Sequence, residues 1–181
     1  DRYNSDGSVN VIPGHSLTFA VLGTLIPCFG WYGFNVGTAA TPLASGEGAI
    51  ALGSFSIVGL VALNTTLGMA AGGVGAGALA LYMNGKVDTL YVANGMLAGL
   101  VSVTGIVDDV IWPGALVVGV LAGAQLPIVF NFIQHKVKID DVCAVFPVHG
   151  SAGVLGILAY PFIAVGGFSA SALIAQIVGV A

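Results

Sequence analysis

Long apolar runs alternate with short polar ones along this chain, and their lengths set the first reading. A hydrocarbon core about 30 Å thick needs about 20 apolar residues per helix. The first such run covers 15–37 and is entered through Pro13-Gly14. "TAATPLASGEGA" follows and reads as a loop. The next uncharged run, Gly48 to Gly85, is too long for one level helix and too short for two. A helix at 57–83 fits it, with "GAIALGSF" left as outlying loop. "NGKVD" reads as a turn. A third span at 89–107 ends at Asp108-Asp109, and a fourth at 112–134 carries Pro113 where a first turn accepts proline. "QHKVKIDD" is the most polar loop. Asp140 or Asp141 is placed to cap a fifth span at 141–164. After the break "VGGFSA", residues 171–181 begin a sixth helix that the chain does not finish. The pattern predicts an all-α integral membrane protein: one transmembrane domain over 1–181, with five complete spans and the start of a sixth.

Composition strengthens that expectation. Only 7% of the residues are charged, against about 25% in soluble proteins, and mean hydropathy is +1.01. So little charge cannot coat a surface against water, which leaves the lipid bilayer as solvent. The 28 glycines suit helices whose backbones approach closely. The alternating pattern of barrel strands is absent. A net charge of -4, scattered, gives no nucleic-acid surface. Cys28 and Cys143 give no disulfide framework. The chain opens at Asp1 with the polar stretch "DRYNSDGSVNVI" and reads as a piece of something longer. Arg2, Lys86, Lys136 and Lys138 all fall in alternate loops, while the opposite loops carry only Glu47, Asp108 and Asp109. The positive-inside rule puts the Lys/Arg loops in the cytoplasm; the plasma membrane is the expected location.

Few residues are equipped for chemistry. His149, in "VFPVHGSAG", is an ionisable side chain at membrane depth, which marks a functional position by default. Its neighbours at i+3, i+4 and i+7 are Ala152, Gly153 and Gly156, a face nearly bare of side chain. That face suits a narrow path or tight helix packing, and Pro147 is expected to kink the helix. The plainer reading of His149 is a neutral imidazole that glues two helices together. In "GWYGFNVGT", Trp31, Phe34 and Thr38 lie at i, i+3 and i+7 on one helix face, with Asn35 beside them. Aromatic belts at membrane interfaces account for such a cluster. Its functional reading is a set of aromatic faces that hold a cation at a pore mouth. Asp108-Asp109 and Asp140-Asp141 read as caps and solvated loops. Asn64-Thr65-Thr66 matches a glycosylation sequon but lies inside a predicted span. Three separated histidines and two isolated cysteines make no metal site. "HGSAG" is not a nucleophile elbow. Neither an enzyme's active site nor a cofactor site is expected.

These stretches, taken together, resemble the Amt/Mep/Rh ammonium transporter family on its Amt side. The resemblance rests on "PGHSL" at 13–17, "FGWYGFNVGT" at 29–38, "NTT" at 64–66, "NGMLAGLVSVT" at 94–104 and "KIDDVCAVFPVHGSAGVLG" at 138–156. It implies the second half of an eleven-helix inverted repeat, and a homotrimer of the full-length protein with one pore per subunit. His149 matches the second of two pore histidines, and Trp31 the pore tryptophan near them. Phe34 matches one of two phenylalanines gating the outer vestibule. Thr38 matches the hydroxyl residue of the outer recruitment site. The partner histidine and the second phenylalanine belong to the other half. Pro27-Cys28, Ala144 and a long segment between Thr38 and Asn64 depart from the family pattern. The implied function is ammonium uptake, with ammonium recruited outside and ammonia passing two imidazoles. The alternative is an ammonium sensor that signals from the same site. A PII-type regulator at the cytoplasmic face is a further partner the resemblance allows.

Overall fold

A computed structural model describes residues 2–40 and 57–181. The predicted loop and outlying segment between residues 41 and 56, with Glu47, lie outside the described residues. The elements in chain order are α1 (Leu17–Ala40), α2 (Val58–Asn84), α3 (Thr89–Thr104), α4 (Trp112–Phe132), α5 (Ala152–Ile163) and α6 (Ala170–Val180). Two π-helical segments extend them: Ile133–Val137 prolongs α4, and Phe146–Ser151 leads into α5. Among the described residues, four stretches are long and apolar enough to cross a membrane: α1, α2, α4 with its extension, and the π-helical segment with α5. α3 and α6 are shorter. The 16 residues of α3 rise roughly 24 Å at 1.5 Å each.

Small residues decide the packing. α2, α3 and α4 form the centre, and their glycines bring backbone against backbone. A methyl group on Gly72 would strike the Gly95 carbonyl oxygen of α3 and lie 2.8 Å from Gly99 Cα. One on Gly123 of α4 would strike the Gly72 carbonyl oxygen. Gly156 of α5 lies in the same way against the Ser102 carbonyl of α3. Without a hydrophobic drive between helices in lipid, such close approach is the main source of association. α1 packs on α2 and α3 and leaves Phe19, Ile26, Phe29 and Phe34 exposed.

Polar ties close the two ends. At one end the N-terminal loop folds on the connection after α4. Arg2 donates to Gln134 Oε1 at 2.5 Å and lies 3.6 Å from the Asp140 carboxylate, and Lys138 Nζ donates to the Gly7 carbonyl. In that loop, hydrogen bonds from Ser8 hold the Asp6 carboxyl below its ordinary range. A small cavity at this end joins Asp88 to Val142 and Ala144, so the loop bearing Lys86 sits here too. At the other end Val110 pairs with Ala164 in a β-bridge, and the Tyr160 hydroxyl donates to Asp109 at 2.6 Å. Asp109 is therefore more than a solvated loop residue.

Three expectations are corrected here. The third span stops at Thr104, not 107. Gly105–Asp109 fold into turns, and the Asn64 amide draws the Val107 and Val110 carbonyls sideways at 3.0 and 2.9 Å. Asn64 thus has a packing role inside its span. The fifth span begins not at 141 but after a left-handed turn at Ala144, φ 57°. The cap is Asp141: its two carboxylate oxygens accept from Val145 N at 2.7 Å and Phe146 N at 2.9 Å. Pro147 then stands in the first turn of the helical stretch, where a missing N–H costs nothing, and does not interrupt a helix already under way. Asn64 also carries a stability prediction. Asn64→Ala leaves two buried carbonyls without this donor and should cost about 1–3 kcal/mol. A lowered thermal midpoint for the detergent-solubilised full-length protein checks it.

Candidate functional site

The aromatic cluster is built on the second half of α1. Trp31 and Phe34 meet edge to face, with ring centroids 6.3 Å apart and planes at 77°. The indole N–H donates to Thr104 Oγ1 of α3 at 2.7 Å, and that hydroxyl donates in turn to the Leu100 carbonyl at 2.7 Å. Trp31 is therefore held by the end of α3, while Phe34 is 60% exposed beside it. Thr38 is exposed, and its hydroxyl donates to the Phe34 carbonyl one turn back at 2.5 Å. Asn35, buried, points the other way and donates to Thr65 Oγ1 at 3.1 Å. Tyr32 also faces α2, its hydroxyl 2.6 Å from Thr66 Oγ1. One short helix segment thus sends Tyr32 and Asn35 into the bundle's polar ties and leaves Phe34 and Thr38 free of them.

His149 lies elsewhere, inside the π-helical segment Phe146–Ser151. The expected bare face around it is corrected. Ala144, Val148, Ala152 and Gly156, each four apart, form a buried stripe, with Pro147 buried beside it, and the stripe packs on α3 and α4. His149 stands one residue off that stripe, exposed, between exposed Val145 and half-buried Gly153. Ala152 and Gly156 serve close packing and do not share an open face with the imidazole. His149 instead borders an open groove of about 610 Å3, with Ile133, Val137, Phe146 and Gly150 along it and Asp141 at its end. Among the described residues the imidazole has no hydrogen-bond partner, and it touches none of Trp31, Phe34 or Thr38. Ser151, half a turn on, is bonded to Gln125 of α4. Gln125 is 13 residues from Trp112 and seven from Phe132, so His149 sits roughly 20 Å along the bundle from one end of α4 and roughly 10 Å from the other.

Thr104, Gln125 and Ser151 were not singled out from the sequence. Gln125 carried a signal, since it is an uncharged polar residue within a run otherwise suited to lipid. Thr104 closes a stretch of the family resemblance, but its bond to Trp31 spans 73 positions.

Such an architecture defines a polytopic membrane protein: long apolar helices, backbones in contact through glycine, and polar groups gathered at the two ends. The Ammonium Transporter Family model matches residues 1–180, and the chain belongs to that family. It is 69% identical over 185 residues to ammonium transporter Amt2 of Haloferax mediterranei, covering 99% of this chain and 41% of that protein. To ammonium transporter Amt1 of Methanocaldococcus jannaschii it is 46% identical over 158 residues, 87% of this chain and 36% of that one. Among solved structures, a sensor Amt protein matches with a TM-score of 0.84 at 32% identity, over 99% of this chain and 43% of its own. Saccharomyces cerevisiae Mep2 matches with a TM-score of 0.69 at 28% identity, over 83% of this chain and 32% of its own. The chain thus spans about two-fifths of the length of Haloferax mediterranei Amt2 and of the sensor Amt protein.

Proposed function

We propose that the full-length protein carries ammonium across the plasma membrane, with Trp31, Phe34 and Thr38 at the outer mouth and His149 on the path. The observation that carries this reading is His149: an imidazole on an open stripe, inside a spanning stretch, with no partner among the described residues. A glue histidine is expected to be buried against a neighbouring helix, and this one is not. The substrate comes from the relatives, which are named as ammonium transporters. A bare cation in the bilayer centre is costly, whereas neutral ammonia is not. Ammonium held by aromatic faces and the Thr38 hydroxyl would shed its proton there, and ammonia would pass His149 and a second histidine from the remainder of the protein. Transport needs no bond-making chemistry from these residues, so the protein is not an enzyme on this reading. The end bearing Arg2, Lys86, Lys136 and Lys138 faces the cytoplasm by the positive-inside rule. A homotrimer in the bilayer is the assembled form, and a PII-type regulator is the partner to test at the cytoplasmic end.

A second reading, an ammonium sensor working from the same site, is favoured by the match to a sensor Amt protein over nearly the whole chain. Ammonium uptake into liposomes holding the purified full-length protein separates the two. Accumulation above protein-free vesicles is the result expected. Ammonium binding with no accumulation would establish the sensor.

The outer mouth has its own test. Phe34→Ala should lower uptake severalfold at limiting ammonium, because the exposed ring stands free to meet a cation; cation–π contacts at such sites supply about 0.5–1 kcal/mol. Tyr32→Phe removes only the hydroxyl bonded to Thr66 and should leave uptake nearly unchanged. Equal losses would place the mouth on another face of α1.

A further inference from the structure

The π-helical turn that presents His149 is held from outside its own helix. Gln125 of α4 donates through Nε2 to the Pro147 carbonyl at 2.7 Å, and to the Ala122 carbonyl of its own helix at 3.0 Å. Its Oε1 accepts from Ser151 Oγ at 2.8 Å, and the same hydroxyl lies 3.2 Å from the Pro147 carbonyl. Gln125, Ser151 and the Pro147 carbonyl therefore close a triangle that spans the segment, with His149 midway between its two fastened positions. The amide cannot be turned round. Its oxygen would then face the Ala122 and Pro147 carbonyl oxygens, acceptor against acceptor.

We propose that Gln125 is the positioning residue for His149, fixing through Ser151 and the Pro147 carbonyl the π-helical register that sets the imidazole on the open stripe. The inference rests on the reading of His149 as part of the path. A π-turn closes i→i+5 bonds where an α-turn closes i→i+4, and such turns are rare and concentrated at functional sites. Relaxation of this segment to α-helix would move each side chain by up to one residue in register, about 100° about the axis. Val148 and Ala152 are gripped by α3 and α4 on the buried side, so the slack falls on the residues between them, His149 to Ser151. One donor, to the Pro147 carbonyl, and one acceptor, from the Ser151 hydroxyl, reach across from α4 and oppose that relaxation. Gln125 does not touch the substrate on this account; it acts through the backbone that carries the imidazole.

The test uses the full-length protein with four variants: Gln125→Leu, Ser151→Ala, Ser151→Thr and His149→Ala. Uptake per assembled protein, ammonium-over-potassium selectivity and amide hydrogen exchange are measured on the same preparations. Gln125→Leu is expected to lower uptake about fivefold to tenfold, as loss of one to two hydrogen bonds would, and to speed exchange within Phe146–Ala152. Ser151→Ala should do the same more weakly, and Ser151→Thr, which keeps the hydroxyl, should retain most of the rate. If Gln125→Leu does not assemble, Ser151→Ala compared with Ser151→Thr decides by the same measurements. Unchanged exchange over Phe146–Ala152, or reduced assembly with uptake and selectivity per assembled protein preserved, overturns the positioning role. If His149→Ala loses transport while Gln125→Leu keeps it, the path reading stands and this inference alone falls. If His149→Ala transports normally, the path reading falls and takes the inference with it.

Discussion

Gly72→Val should yield no folded, monodisperse full-length protein in detergent. Gly72 is where three helices meet at backbone distance: its carbonyl lies against Gly123 of α4, and its own Cα faces Gly95 and Gly99 of α3. The atoms that a new side chain would strike are a carbonyl oxygen and backbone carbons, not the far end of a flexible side chain. Overpacking a core costs about 1–3 kcal/mol where side chains can give way, and here a whole helix must move. The α2–α3 and α2–α4 contacts would open together, and in lipid the lost van der Waals contact is not offset by any hydrophobic drive between helices. Gly59→Ala is the control. It lies near the start of the same helix with nothing within 4 Å of an added methyl among the described residues, and alanine is the better helix former by about 1 kcal/mol. Size-exclusion profiles and thermal midpoints of the two variants should therefore differ in direction. A well-folded Gly72→Val protein would mean that α2 does not approach its neighbours this closely.

His149→Ala should fold and assemble, yet lower ammonium uptake by roughly tenfold or admit other cations. The fold should survive because the side chain is exposed and makes no hydrogen bond among the described residues. The stripe that grips α3 and α4 is Ala144, Val148, Ala152 and Gly156, not His149. Transport should suffer because a neutral imidazole offers one donor and one acceptor where almost no other side chain does, and loss of one such bond is worth about 0.5–1.5 kcal/mol. Assembly measured by gel filtration and uptake measured in vesicles, on one preparation, distinguish this from a glue residue. A glue residue would lose assembly and keep the rate per assembled protein.

The helical, membrane-spanning class was legible from spacing alone, because a bilayer imposes a length of apolar chain that soluble folds do not need. The gathering of charges was legible for a related reason. Charged residues cannot stop within the hydrocarbon, so Arg2 and Lys138 come to one end whatever the packing, where they meet Asp140 and the Gly7 carbonyl. The i, i+3, i+7 spacing likewise predicted that Trp31 and Phe34 share a face, since a regular helix leaves them no alternative, and their rings do meet.

The facing of each helix was another matter. These helices are apolar nearly all round, so no hydrophobic stripe announces which side packs. Asn64 looked like a sequon, and only its reach of 43 and 46 positions to the Val107 and Val110 carbonyls makes it a staple. Ala152 and Gly156 looked like company for His149, since small residues suit an open path and a tight contact equally well. The Ser102 carbonyl resolves that ambiguity by occupying the space beside Gly156. The π-helical turn is the clearest case. Helical periodicity read from sequence assumes 3.6 residues per turn, so a segment held at a wider turn by Gln125, 22 positions away from the Pro147 carbonyl, is misread by one residue. One residue is enough to carry an imidazole from the packed side of a helix to its open side. The lipid solvent determined how long these segments are and where their charges stop; backbone contacts between helices decided what each of them faces.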